Sequence, residues 1–350
     1  MKEKRLLWQG SFFLVVFFFI VILWLIFCTL EPLRSSPTSS STRPAYVTHS
    51  ESYNYSHPLQ LLTANDYNLL MNYSFSFDML SLGCNEGTLL LVLVHSAPGN
   101  FLKRKVIRES WGSNNSDEVR LFFIMGRSAS KVILEDLEKE NREHNDLVMG
   151  SFVDVYRNLS LKHITTLKYA IYHCPQARYV LKTDDDIMVN MPLLKRFLFV
   201  DLSSHGTSNL LFCRVLKSSK VLRTYRSKWR VAFEEYPFRT YPAYCPGWLI
   251  LYSPDVIFKL YHSAQNSSEA FWIDDVYITG ILAARNNITH TDSSATIISK
   301  GDQALLVKKG IFPEKPFLSG RYDLKENEIR VMWAAVVSHN NPHSLREVLS

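Results

Sequence analysis

Residues 179–190 read YVLKTDDDIMVN. Asp184, Asp185 and Asp186 stand side by side between two apolar runs that have the texture of buried strand. Adjacent carboxylates repel one another, so the folded state must bring positive charge to them. Hard divalent ions such as Mn²⁺ or Mg²⁺ take carboxylate oxygens and commonly bridge them to substrate phosphates. The tight apolar bracketing argues against a merely solvated acidic turn. The spaced Asp and Gly pattern of an EF-hand is absent, as are a P-loop Gly-Lys-Ser/Thr signature and a Gly-x-Gly-x-x-Gly fingerprint. Lys182, two residues before the triplet, is placed to neutralise it without touching substrate.

The elements around the triplet set where it must lie. LLLVLV from Leu89 is followed by a helical stretch through Arg108 and Trp111, then by the apolar VRLFFIMG. A charged segment from Lys131 to His144, an apolar-leaning LVMGSFV and a helical stretch from Leu159 to Tyr172 lead into YVLK and the three aspartates. Continuous apolar strands separated by helices predict an α/β fold whose mainly parallel sheet is covered on both faces. Ligands of such sheets bind in the crevice beyond the carboxyl ends of the strands. A carboxylate triplet directly after a strand therefore belongs at the rim of that crevice.

The rest of the chain bounds the compartment. Its 350 residues are 47% hydrophobic and 21% charged, and the net charge of +6 includes +2 from the first five residues. No basic cluster has the length of a nucleic-acid footprint, so nucleic acid is excluded as a partner. Residues 12–30 carry no charge over 19 positions, long enough to cross a hydrocarbon core as a helix. The run is longer than the apolar region of a signal peptide, and no small-x-small cleavage site follows it. Lys2, Lys4 and Arg5 before it place residues 1–11 in the cytosol and the remainder on the far side. A Ser/Thr/Pro tract follows, so residues 31–80 are expected to be a stem and residues 81–350 the folded lumenal domain. Lumenal chains carry glycan acceptors and paired cysteines. Sequons occur at Asn54, Asn72, Asn114, Asn158, Asn266 and Asn287, and outside the apolar run there are four cysteines, Cys84, Cys174, Cys213 and Cys245. Four cysteines allow three pairings, and buried free thiols are the alternative.

Six segments occur in the order and at roughly the spacing of a known family: RKVIRESWG (104–112), FFIMG (122–126), DVYRNLSLK (154–162), YVLKTDDDIMVN (179–190), YPAYCPGWLILYSPD (241–255) and DDVYITG (274–280). Together they span about 200 residues and resemble the inverting β-1,3-galactosyltransferases and β-1,3-N-acetylglucosaminyltransferases. The resemblance implies a GT-A, Rossmann-like fold in a single-pass Golgi membrane protein. It further implies a donor of UDP-galactose or UDP-N-acetylglucosamine, Mn²⁺ held by a DxD motif, and an acceptor glycan on protein or lipid.

By the same resemblance, Asp184 and Asp186 are the ends of the DxD, Asp186 is the more direct metal ligand, and Asp185 lies nearer the ribose. Arg104 and Arg108 match basic positions that would face the diphosphate; packing as ion-pair partners near Trp111 is the alternative. The family's usual Glu-Asp-Val is here Asp274-Asp275-Val276, making Asp275 the expected base that takes the acceptor's proton, with Asp274 second. Both would also suit a helix N-terminus whatever their chemistry. Trp248 and Trp272 are candidates for stacking on an acceptor sugar. His290 and His339 are the candidates for a histidine that members carry after the base segment. The expected pairings are Cys84–Cys174 and Cys213–Cys245. Two other functions compete: a membrane-anchored carbohydrate-binding protein of the same fold without catalysis, and a metal-dependent phosphohydrolase. The first predicts a damaged DxD or base, and the second predicts further ligands for a second metal; neither is found.

Overall fold

A computed structural model describes residues 44–340, apart from 55, 63, 72, 114–115 and 268–269. Its centre is an eight-stranded sheet. The strands are β1 (Phe77–Leu80), β2 (Leu90–His95), β3 (Val119–Arg127), β4 (Leu147–Val153), β5 (Tyr179–Asp184), β6 (Leu211–Cys213), β7 (Leu249–Tyr252) and β8 (Thr291–Asp292). Across the sheet they lie in the order β8-β6-β7-β5-β2-β3-β4-β1. Strands β2 to β5 are mutually parallel, and β6 and β8 point the same way, while β7 and β1 oppose them.

Helix α1 (Phe101–Arg108) joins β2 to β3, α2 (Lys131–His144) joins β3 to β4, and α3 (Leu159–His173) joins β4 to β5. The chain thus steps outward from β2 to β4, then returns through α3 to pair β5 on the other side of β2. Such a reversal leaves a crevice between the two central strands. Side chains alternate across the pleat, so Leu91 and Leu93 pack with Ile164 and Leu167 of α3, whereas Leu90, Val92 and Val94 pack with Val106 and Ile107 of α1. All five of these β2 residues are fully buried, which is why the run reads as apolar without alternation.

Further helices complete the two faces: α4 (Met191–Arg196), α5 (Pro254–Gln265), the contiguous helical pieces Asp274–Val276, Tyr277–Leu282 and Ala283–Arg285 that form α6, then α7 (Lys300–Lys309) and α8 (Glu326–Asn340). Cys84 is bonded to Cys174 and Cys213 to Cys245, the expected pairs. Asn54, Asn266 and Asn287 are exposed and Asn158 is half-buried. The acceptors Asn72 and Asn114 and the apolar run 12–30 lie outside the described residues, among which no helix is long and apolar enough to cross a membrane.

The expected stem boundary at residue 80 is corrected. Leu70, Met71 and Phe75 are buried in the core, Phe77–Leu80 forms the edge strand β1, and Val47–Thr48 pairs with Thr207–Ser208. The Ser/Thr/Pro tract ends near residue 43, and the apolar residues that follow can bury themselves against α3.

Candidate active site

The register of β2 on β5 sets His95 opposite Asp184, so the triplet emerges at the carboxyl end of the central strands. A cavity of about 780 Å³ opens there, and Asp184, Asp185, Asp186, Asp274 and Asp275 all line it.

The three aspartates have different environments. Asp185 is held by its neighbours: one oxygen accepts from Ser96 Oγ and Asn100 Nδ2, each at 2.8 Å, and the other from Lys103 Nζ at 3.1 Å. Asp184 accepts from the buried Lys182 ammonium at 2.8 Å, the neutralising role expected of that lysine. Asp186 has no ion pair within 4 Å among the described residues. Burial and the neighbouring Asp184 push its carboxyl up to about 6. Asp186 is therefore a carboxylate short of positive charge, and with Asp184 it offers the hard oxygen ligands suited to Mn²⁺ or Mg²⁺.

Asp274 and Asp275, on the same cavity, begin α6, where they also meet the exposed amides of the first turn. Their side chains diverge. Asp274 meets His163 Nδ1 at 3.1 Å, and the other ring nitrogen of His163 meets Tyr252 Oη at 3.1 Å. Burial opposes ionisation of Asp274, yet the His163 hydrogen bond and the Lys182 charge bring it down to about 2. Asp275 accepts from the Gly247 backbone N–H at 2.9 Å through one oxygen, and its other oxygen is buried without a partner. Burial and then the Asp274 charge push Asp275 well above the ordinary carboxylate range. The two adjacent carboxylates are thus split, Asp274 held ionised and Asp275 held toward its neutral form. His163, Asp274 and Asp275 lie close enough to hold a cation, but both ring nitrogens of His163 already have partners, so the group is better described as a hydrogen-bonded support.

Helix α3 forms the floor. Lys162, His163 and Thr166 occupy one face at helical spacing: Lys162 reaches Asp154 at 2.7 Å and the Ser96 carbonyl at 3.1 Å, and Thr166 meets His95 Nε2 at 2.8 Å. Gly247 is required by close approach, since a Cβ there would lie 2.5 Å from Lys182 Nζ and 2.6 Å from Asp184 Oδ2.

Arg104 and Arg108 stand behind the cavity wall rather than on it, contrary to their expected diphosphate role. Arg104 is fully buried and donates to Glu140, Ser96 Oγ and the carbonyls of Ala97 and Pro98. Arg108 donates to Glu140 and Asp146. Their donors are consumed in fixing the β2–α1 loop and tying α1 to α2. Trp248 lines the cavity and stacks on Tyr322 at 4.5 Å. Trp272 does not line it; Trp272 stacks on Trp229 and lies under Arg157. His290 bonds the Thr279 carbonyl and His339 stacks on Phe312, both away from the cavity. Sequence reasoning missed Ser96, Asn100, Lys103, His163 and Gly247 as site residues. Only their positions within or beside the matched segments hinted at them.

The galactosyltransferase family model matches residues 102–294, more than half of the chain. Lactosylceramide 1,3-N-acetyl-beta-D-glucosaminyltransferase A of Danio rerio is 29% identical over 277 residues, covering 75% of this chain and 70% of that protein. The Homo sapiens lactosylceramide 1,3-N-acetyl-beta-D-glucosaminyltransferase is 29% identical over 274 residues, covering 70% and 69%. Beta-1,3-galactosyltransferase 5 of Gorilla gorilla gorilla is 32% identical over 203 residues, covering 57% of this chain and 66% of that protein. With the acidic triplet, the paired aspartates and the cavity they line falling in or beside the matched span, the chain belongs to the galactosyltransferase family.

Proposed function

We propose that this chain is a UDP-sugar-dependent hexosyltransferase that moves galactose or N-acetylglucosamine to a glycan hydroxyl with inversion, forming a β-1,3 linkage. The observation that carries the proposal is the unpartnered, buried oxygen of Asp275 on the wall of the cavity that Asp184 and Asp186 also line. An inverting transfer needs a base on one side of the sugar and a charged site for the departing diphosphate on the other. The acceptor oxygen forms a bond to C1, the bond from C1 to the phosphate oxygen breaks with its electron pair, and the hydroxyl proton passes to Asp275. Gly247 N–H orients Asp275, and His163 holds Asp274 ionised beside it. Asp184 and Asp186 would hold Mn²⁺ or Mg²⁺, which supplies positive charge to the diphosphate. Lys103 and Asn100 fix Asp185 for the nucleotide side. A Golgi membrane location with the catalytic domain in the lumen belongs to the same proposal, supported by two disulfides and the exposed sequons.

The test is a panel of UDP-sugars offered to the purified full-length protein with Mn²⁺, with Mg²⁺ and with chelator, the product linkage being read by NMR. Metal-dependent transfer from UDP-galactose or UDP-N-acetylglucosamine to a β-1,3 product is expected. Glycan binding without transfer from any donor would favour the non-catalytic carbohydrate-binding reading.

A further inference from the structure

Residues 214–240, leading from β6 toward the Cys245–Gly247 turn, hold eight Lys and Arg residues against Glu234 and Glu235. Eight less two is +6, equal to the net charge of the whole chain. Little of this charge is neutralised within the segment. Glu235 is engaged by Arg157 and by the Ala232 N–H. Arg223 is structural: it donates to the carbonyls of Val231, Ala232, Tyr236 and Phe238 and so folds the segment around itself. Lys220 and Lys228, by contrast, are exposed, line the cavity, and have no ion pair within 4 Å among the described residues. The Lys228 ammonium stands 5.3 Å from the Trp229 ring and 5.4 Å from the Tyr156 ring, and both rings also line the cavity.

We infer that the acceptor is an acidic saccharide, whose sulfate or carboxylate groups are met by Lys220 and Lys228 while its ring faces pack on Trp229 and Tyr156. This rests on the transferase reading above. The same stretch of chain runs into Gly247, whose N–H holds the base Asp275, and Lys220 and Lys228 line the same cavity as that base. The donor side has its own charges, the triplet with Lys103 and Lys182. A neutral glycan would leave two cavity lysines without counter-charge, whereas an anionic one gains charge-assisted hydrogen bonds and steered encounter. A bilayer surface would also suit a basic segment exposing Tyr225, Phe233 and Phe238. Lys220 and Lys228 face into a cavity that no bilayer enters, and this favours the saccharide.

The experiment compares kcat/KM for matched oligosaccharide acceptors that are neutral, sulfated or carboxylate-bearing, at low and moderate salt, using the full-length protein. At least one anionic acceptor should exceed the neutral one by about tenfold per lysine contact, with the advantage shrinking as salt rises. The arm that wins identifies sulfate or carboxylate as the source. Lys228→Ala and Lys220→Ala should each lower the anionic-to-neutral ratio, Lys228→Arg should restore it, and Lys308→Ala on α7 should leave it in place. Equal or better use of the neutral acceptor overturns the inference, as does a lysine effect confined to the KM for the UDP-sugar. So does a lysine effect seen only as lost binding to anionic vesicles. Calorimetry of UDP binding and transfer to the neutral acceptor separates these failures from failure of the transferase reading itself, in which no acceptor is used.

Discussion

Asp274 and Asp275 are neighbours in the chain, yet one side chain is tied to His163 and the other presents an unpartnered oxygen at the cavity. Substitutions should separate the two. Asp275→Asn should lower transfer by about 10²–10⁴-fold, the usual loss for a general base, while calorimetry finds UDP affinity near that of the parent. Normal transfer by Asp275→Asn would place the base elsewhere. Asp274→Ala should appear first as lost stability, because it strands the fully buried His163 and removes a charge-assisted hydrogen bond worth about 1.5–3 kcal/mol. Thermal unfolding reads that difference. In the same cavity, Asp186→Asn should abolish metal-dependent turnover while secretion continues, since the half-buried Asp186 faces the cavity and not the core. Retained metal-dependent activity in that variant would remove Asp186 from the ligand set.

At the scale of elements, the staple between α1 and α2 replaces the expected role of Arg104 and Arg108. Both guanidiniums converge on Glu140, and Arg108 also grips Asp146 at the head of β4. Burial raises the Glu140 carboxyl, but hydrogen bonds and charge from Arg104 and then Arg108 outweigh it, and its pKa in the folded protein is lowered. A depressed folded-state value gives stability that is present above the unfolded glutamate pKa of about 4.3 and lost as pH falls through the folded one. Urea midpoints should therefore drop below about pH 4, and the drop should be shallower in Glu140→Gln. An acid limb identical in parent and variant would show that Glu140 is not the group titrating. Residue types alone could not assign these arginines. A basic pair near a predicted crevice serves phosphate or a carboxylate equally well, and the choice depended on Glu140, which lies 36 residues beyond Arg104.

For the whole molecule, the start of the folded unit near residue 44 has a direct consequence. A chain beginning at residue 81 loses the buried Leu70, Met71 and Phe75 and the edge strand β1. At about 1.5–3 kcal/mol for each buried large apolar side chain, that rivals a typical total stability of about 5–15 kcal/mol. It also strips Lys168 of the Asp66 and Leu69 carbonyls, each at 2.7 Å. Burial already lowers that ammonium to about 8. Secretion of the 81–350 chain should fall far below that of the 44–350 chain; equal yields and equal melting temperatures would show the early segment to be dispensable.

The order of strands and helices, the carboxylates at a strand end and the need for a cation near them were all legible in the sequence, because each is a local property of adjacent residues. The disulfide pairing came from resemblance to a family, since counting cysteines left three choices. The preference for Asp275 over Asp274 as base likewise came from resemblance; that Asp274 is tied to His163 while Asp275 keeps an unpartnered oxygen was not legible. Asp274 and Asp275 occupy equivalent first-turn positions, and only the packing of α3 against α6 brings His163 to one and leaves the other open. The arginines, the early segment and the cavity lysines follow the same logic. Their roles depend on partners far away in the chain, and only the folded geometry decides which carboxylate, carbonyl or open cavity a long cationic side chain meets.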